Sequence, residues 1–229
     1  MLSVSTLMMY DYIMMTMQTK QKPGKKAANR PYHHGDLHQE IICAACELLE
    51  ENNISSLSLR AVAKKVGVSH TAPYRHFKDK ESLLAGIAGR GYDELTTQMK
   101  EAVELHPGNP AAQLQEAGIR YVELALKQPQ CSHLMYSGIL PCDDTYPELK
   151  ESGDTAFDGL KMIIEEGQSS GEFKQGDIEL LALTAWAGIH GLTMLLISGT
   201  LPEILSLQID VSLLTSAVTS TMLEGLKAD

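Results

Sequence analysis

The sequence predicts an all-α protein in two parts, a small N-terminal three-helix unit of helix-turn-helix type followed by a larger helical domain. Three observations carry that prediction. Apolar residues recur at spacings of three and four through most of the chain, with no competing period-two alternation of the kind a half-buried strand shows. Two short helical patterns are separated only by Gly67-Val68-Ser69, the spacing of a helix-turn-helix. The charge is also unevenly placed. Residues 1–95 carry 12 Lys and Arg against 10 Asp and Glu, whereas residues 96–229 carry 7 against 19, so a chain of net charge -10 has a basic front and an acidic body.

The elements follow in order. Residues 1–30 read as a disordered methionine-rich tail and a basic arm; the tail lacks the positive start and small-residue cleavage site of a secretory signal, and ordered chain is expected near Met17 or later. Asp36 is placed to cap a first helix, with Gln39 three residues on and Leu37, Ile41, Ala44, Ala45, Leu48 and Leu49 on its inner face. Ser58 caps a second helix that turns Leu59, Val62, Ala63 and Val66 inward and Arg60, Lys64 and Lys65 outward, and Gly67 stops it. Ser69 is expected to cap a third helix over 70–77, and Asp79 a fourth with the stripe Leu83, Leu84, Ile87 and Ala88. This gives an N-terminal domain over 31–95. The domain over 96–229 should hold helices near 111–128, 131–138, 147–168, 177–198 and 207–226.

Residues 180–197 contain no formal charge, which touches the lower limit for a membrane span. Trp186, His190, Thr184, Thr193, Gly188 and Gly191 dilute the stretch and no basic flank follows, so a buried core or dimer helix is the expectation. Four scattered cysteines suit a reducing cytoplasm rather than a disulfide framework. Cys43 and Cys46 form C-x-x-C, but no second pair follows, and the spacing sits in an apolar helical run where cysteine serves as a small hydrophobe. His33, His34 and His38 straddle a helix start, while His70 and His76 are more than one turn apart; neither set has metal-ligand spacing, and no metal or cofactor is expected.

A helix that reads DNA needs polar or aromatic side chains on its first turns and basic groups nearby to hold the phosphates. The segment over 70–77 offers His70, Thr71, Tyr74 and Arg75, with Phe77 as an apolar anchor. Taken singly, each is also what a solvated helix face looks like. Basic residues at Arg60, Lys64, Lys65, Arg75, Lys78 and Lys80 surround them. Pro73 loses the first intrahelical hydrogen bond to the Ser69 carbonyl, a defect expected to be tolerated so near the cap.

Pro31-Tyr32-His33-His34-Gly35-Asp36-Leu37, Leu57-Ser58-Leu59-Arg60-Ala61-Val62-Ala63, and the run from Gly67 to Lys80 containing Tyr74-Arg75-His76-Phe77 resemble the DNA-binding domain of the TetR/AcrR family over residues 31–95. Trp186-Ala187-Gly188-Ile189-His190-Gly191 resembles the Trp, His-Gly signature of one subgroup of its C-terminal domains. The resemblance implies a homodimeric transcriptional regulator, mostly a repressor in this family, with two reading helices about 34 to 36 Å apart on a pseudo-palindromic operator. Carried over by position, Ser58, Arg60, Ser69, His70, Thr71, Tyr74, His76 and Lys80 fall where the family contacts DNA. Tyr74, His76 and Lys80 would bond phosphates; His70, Thr71 and Arg75 are the candidates for base edges. His38 departs from the arginine often found at that place.

The same resemblance implies a C-terminal ligand cavity and a dimer seam built from the last two helices. Met135, Tyr136, Phe157, Trp186, His190 and Met194 are the cavity candidates, because methionine and aromatic side chains line adaptable apolar pockets; core packing is the alternative for each. The ligand is expected to be a small apolar or amphipathic inducer, since no Arg or Lys cluster marks a phosphorylated one. Rival readings are an enzyme and a helical binding protein without DNA recognition. No G-x-S-x-G, Walker loop or dinucleotide fingerprint supports the first, and the second leaves the charge split unexplained.

Overall fold

The structure is a computed structural model that describes residues 37–141, 143–201 and 210–228. The tail and arm, the Asp36 cap, His33, His34, Cys142 and the start expected for the last helix lie outside those residues. Within them the regular structure is helical: α1 (Leu37–Glu51), α2 (Leu59–Val66), α3 (Lys80–Leu105), α4 (Pro110–Lys127), α5 (Pro129–Tyr136), α6 (Pro147–Ser170), α7 (Ile178–Ser198) and α8 (Val211–Leu226). An isolated bridge between Phe173 and Lys227 fastens the end of α8 to the segment after α6.

The caps are those the residue types favour. Ser58 Oγ accepts the Ala61 N–H at 3.2 Å, and Gly67 closes α2 at φ 82°, a left-handed value that costs glycine little. Asp79 and Ser82 form a reciprocal capping box at the start of α3, and Asp177 accepts from the Leu180 N–H to start α7.

Two apolar cores meet along α3. Its Leu83, Leu84, Ile87 and Ala88 pack with Ile41, Leu49, Val62 and Phe77; further on, Leu95, Met99 and Ala102 pack with α4, α6 and α7. The 95/96 boundary expected from the sequence therefore falls inside one continuous helix. α5 belongs to both neighbourhoods, since Cys131 and Leu134 sit in the first core while Tyr136 packs against the second.

The segment over 70–77 differs from the expected third helix. Only Pro73–Arg75 is helical, as one 3-10 turn. Proline has no N–H to give the Ser69 carbonyl, so the chain tightens: Ala72 N–H bonds Ser69 O, and His76 and Phe77 N–H both bond Pro73 O. Ser69 does not act as a side-chain cap; its hydroxyl pairs with that of Thr71 at 3.2 Å.

Candidate DNA-reading surface and ligand cavity

The helix-turn-helix presents most of the sequence candidates together. Ser58, Arg60, Ser69, His70, Thr71, Arg75 and His76 are exposed, and Tyr74 stands 51% exposed although aromatic side chains of its size are commonly more covered. Pro73 and Phe77 are buried beneath them and fix the segment from below. Phe77 fits because position 86 has no side chain: a Cβ there would lie 3.0 Å from its ring. His38 covers the other side of that ring, stacked at a centroid distance of 4.8 Å, and its own ring lies 5.8 Å from that of His76. The residue that departs from the family pattern thus packs, half-buried, against the segment over 70–77, a contact that sequence spacing does not reveal.

Two of the basic residues are committed elsewhere. Lys65 pairs with Glu47 at 3.0 Å and Glu51 at 2.8 Å, and those hydrogen bonds hold its ammonium above the usual lysine range. Lys80 donates to the carbonyls of Ile54 and Ser55, tying the loop after α1 to the start of α3. Arg60, Lys64, Arg75 and Lys78 remain as the exposed cations of this face.

In the larger core lies a cavity of about 320 Å³, at the lower end of the range for small-molecule sites. Of the cavity candidates, Met135, Tyr136, Phe157 and Trp186 are among the residues that line it. His190 stands just behind, with its ring 4.6 Å from Tyr136 and its Nδ1 2.9 Å from the Tyr121 hydroxyl. Met194, two turns beyond Trp186 on α7, is not among the lining residues. Tyr92, Met99, Leu114, Tyr121 and Met222 were missed; their one sequence signal was a place on the inward stripes of α3, α4 and α8.

The polar groups in this apolar chamber are linked. Trp186 Nε1–H donates to the Tyr121 oxygen at 3.4 Å, which leaves the Tyr121 O–H to donate to His190 Nδ1. Burial lowers the His190 pKa and so favours the neutral ring that this arrangement needs. Burial likewise raises the Tyr121 and Tyr136 phenols, so both stay protonated as hydrogen-bonding groups. The charged lining residues, Lys150 and Asp154, form an ion pair with each other at 3.3 Å.

α5 connects cavity and reading unit. Near its end Met135 packs over Gly91, where a Cβ would come within 2.5 Å of the sulfur, and the Met135 carbonyl accepts from the Tyr92 hydroxyl at 3.2 Å. At its start the Glu50 carboxylate of α1 accepts the N–H groups of Gln130 at 3.1 Å and Cys131 at 2.8 Å, two of the unpaired donors that open any helix.

Comparison with known proteins agrees with this architecture. Residues 41–87 match the family described as bacterial regulatory proteins, tetR family, and residues 114–218 match the tetracyclin repressor-like C-terminal domain. The HTH-type transcriptional regulator YobS of Bacillus subtilis is 26% identical over 160 residues, 68% of this chain and 76% of that protein. AcrR of Shigella flexneri is 31% identical over 100 residues, covering 44% and 46% of the two chains. Among solved structures, a Rhodococcus sp. RHA1 protein of unknown function superposes with a TM-score of 0.75 at 32% identity, over 87% of this chain and all of that one. FadR of Bacillus subtilis, solved with stearoyl-CoA, shares the fold at a TM-score of 0.65 and 20% identity over 82% and 99% of the chains. With both of its parts matched, the chain belongs to the tetR family of DNA-binding helix-turn-helix transcription regulators.

Proposed function

We propose that this regulator is a repressor that binds a pseudo-palindromic operator as a homodimer and leaves it when a small molecule fills the cavity. The observation that carries the reading is the position of α5, one end lining the chamber through Met135 and Tyr136 and the other held by Glu50 of the DNA-facing unit. A ligand that prefers one placement of Tyr136 biases the placement of α5, and so the balance between operator-binding and released forms. Leu180, Leu183, Leu195 and Leu213 support the dimer: they are exposed apolar residues on α7 and α8, and a second copy of the same helices would cover them. This also gives α7 an occupation other than crossing a membrane, for which its length and hydropathy would suffice.

The chamber suits an apolar or amphipathic ligand with a neutral hydrogen-bonding group. FadR was solved with stearoyl-CoA, but here the one cation that lines the cavity among the described residues, Lys150, is already paired with Asp154, which disfavours a run of phosphates. The convergence of Trp186 and His190 on Tyr121 supports placing the chain in the subgroup with the Trp, His-Gly signature. Fluorescence anisotropy on duplexes from the chain's own upstream region, at two salt concentrations, tests the reading. Tight, salt-steep binding to one palindromic duplex that is lost on ligand addition supports it. Weak, sequence-indifferent binding overturns it and leaves a helical ligand-binding protein without DNA recognition.

A further inference from the structure

Thiols gather where α1 meets α5. Cys46 and Cys131 are 8% and 3% exposed, share one apolar core and lie within thiol hydrogen-bonding reach of each other. Their register is set by Glu50, one helical turn beyond Cys46, whose carboxylate holds the Cys131 N–H. Cys43, a turn earlier on α1, accepts a hydrogen bond from Arg90 Nη1 at 2.7 Å, which brings a guanidinium to the same cluster. The C-x-x-C spacing had suggested only a buried helical run; the pairing partner comes from a different helix 85 positions later.

We propose that Cys46 and Cys131 form a reversible disulfide on exposure to hydrogen peroxide, a covalent staple between the DNA-facing unit and α5. The two thiols are unequal. Hydrogen bonding from Cys131 lowers the Cys46 pKa against the opposing effect of burial, with the Arg90 charge assisting, while the Cys46 sulfur and burial raise that of Cys131. With the Arg90 guanidinium held against Cys43 one turn away, Cys46 is assigned as the thiol that attacks first, reacting as its thiolate. Its sulfur bonds one peroxide oxygen as the O–O bond breaks, and the departing hydroxide takes up the proton that Cys46 released and becomes water. Cys131 then attacks the sulfur of the resulting sulfenic acid. The S–S bond forms as the S–O bond breaks, and the hydroxide leaves with the Cys131 proton as a second water. Two thiols lose two electrons, and peroxide is reduced to two waters. Such bonds in reducing compartments are transient and serve as sensors rather than as scaffolding.

The full-length chain, reduced and desalted, is treated with a small excess of peroxide, alkylated, digested with trypsin and mapped by mass spectrometry. The expected product links the peptide 27–60, in which Pro31 protects Arg30 from cleavage, to the peptide 128–150, with fragment ions placing the bond at Cys46 and Cys131, and dithiothreitol removes it. The oxidised chain also melts at a higher temperature, because the bond closes a long loop in the unfolded state. Cys43→Ser retains the link and Cys46→Ser abolishes it. A bond between Cys43 and Cys46, a bond at Cys142, a link between two chains, or Cys46 driven to sulfinic acid without a partner overturns the proposal. The wild-type map decides this even if a variant fails to fold.

Discussion

Glu50, near the end of α1, accepts the backbone N–H of Cys131 at 2.8 Å and so caps a helix 81 residues away in the chain. One carboxylate thus joins the DNA-facing unit to the helix that lines the cavity. Glu50→Ala leaves two N–H donors of α5 without that partner, and the expected loss is about 1–2 kcal/mol, as for other charged caps. Urea denaturation measures it. A midpoint equal to wild type would show that water replaces the carboxylate without cost.

The fit of Phe77 over Gly86 predicts a separation of functions. Gly86→Val places methyl groups where the ring lies, displaces Phe77 and with it the segment carrying Tyr74, at a cost of roughly 1–3 kcal/mol for overpacking. Operator binding should fall while the cavity, built on the other core, still takes up ligand. Equal loss of both in anisotropy and ligand titration would mean global unfolding instead.

Tyr74→Phe removes a single exposed hydroxyl and nothing from the core. If that group bonds a phosphate, affinity falls by about 1.5–3 kcal/mol, or roughly ten- to a hundredfold, at unchanged melting temperature. An unchanged Kd removes Tyr74 from the contact set.

Trp186 is the chain's single tryptophan and it lines the cavity. Its emission should shift or quench as an apolar ligand enters, and the signal should vanish in Trp186→Phe. Saturable ligand binding by calorimetry with constant emission would place the ligand elsewhere.

His190 makes stability depend on pH. Its folded pKa lies below the ordinary value of 6.5, so the unfolded chain binds the proton more readily, and stability falls as pH drops through 6.5 toward the lowered folded value. Above that window the contribution is complete. Thermal melts at pH 7.5 and 5.5 should show a smaller acid-induced drop for His190→Gln than for wild type; equal drops would assign the effect to other groups.

Most of the fold could be read in advance because helix ends carry local chemistry. Ser58, Gly67, Asp79 and Asp177 cap or stop helices where their residue types favour it. The expected third helix shrinks to one 3-10 turn because the N–H that Pro73 lacks, a small loss at the edge of a long helix, is in so short a segment the bond that would have made it α-helical. Four of six cavity candidates line the chamber since large apolar side chains on neighbouring helices tend to meet there. Tyr121, His38 and the Glu50 cap were missed for a common reason: each acts through a partner more than 25 residues away, and no spacing within one helix encodes that.

The continuity of α3 has a mechanical consequence. At 26 residues it is about 39 Å long; Tyr92, Leu95 and Met99, from its middle onward, line the cavity, and its start packs with the helix-turn-helix. A rigid rod acts as a lever: pivoting it by about 5° at Met99 sweeps its start, about 28 Å away, through roughly 2.5 Å, close to the length of a hydrogen bond. If ligand binding pivots α3, a displacement too small to disturb the packing around the ligand is in this way enlarged to the scale of a hydrogen bond at the other end.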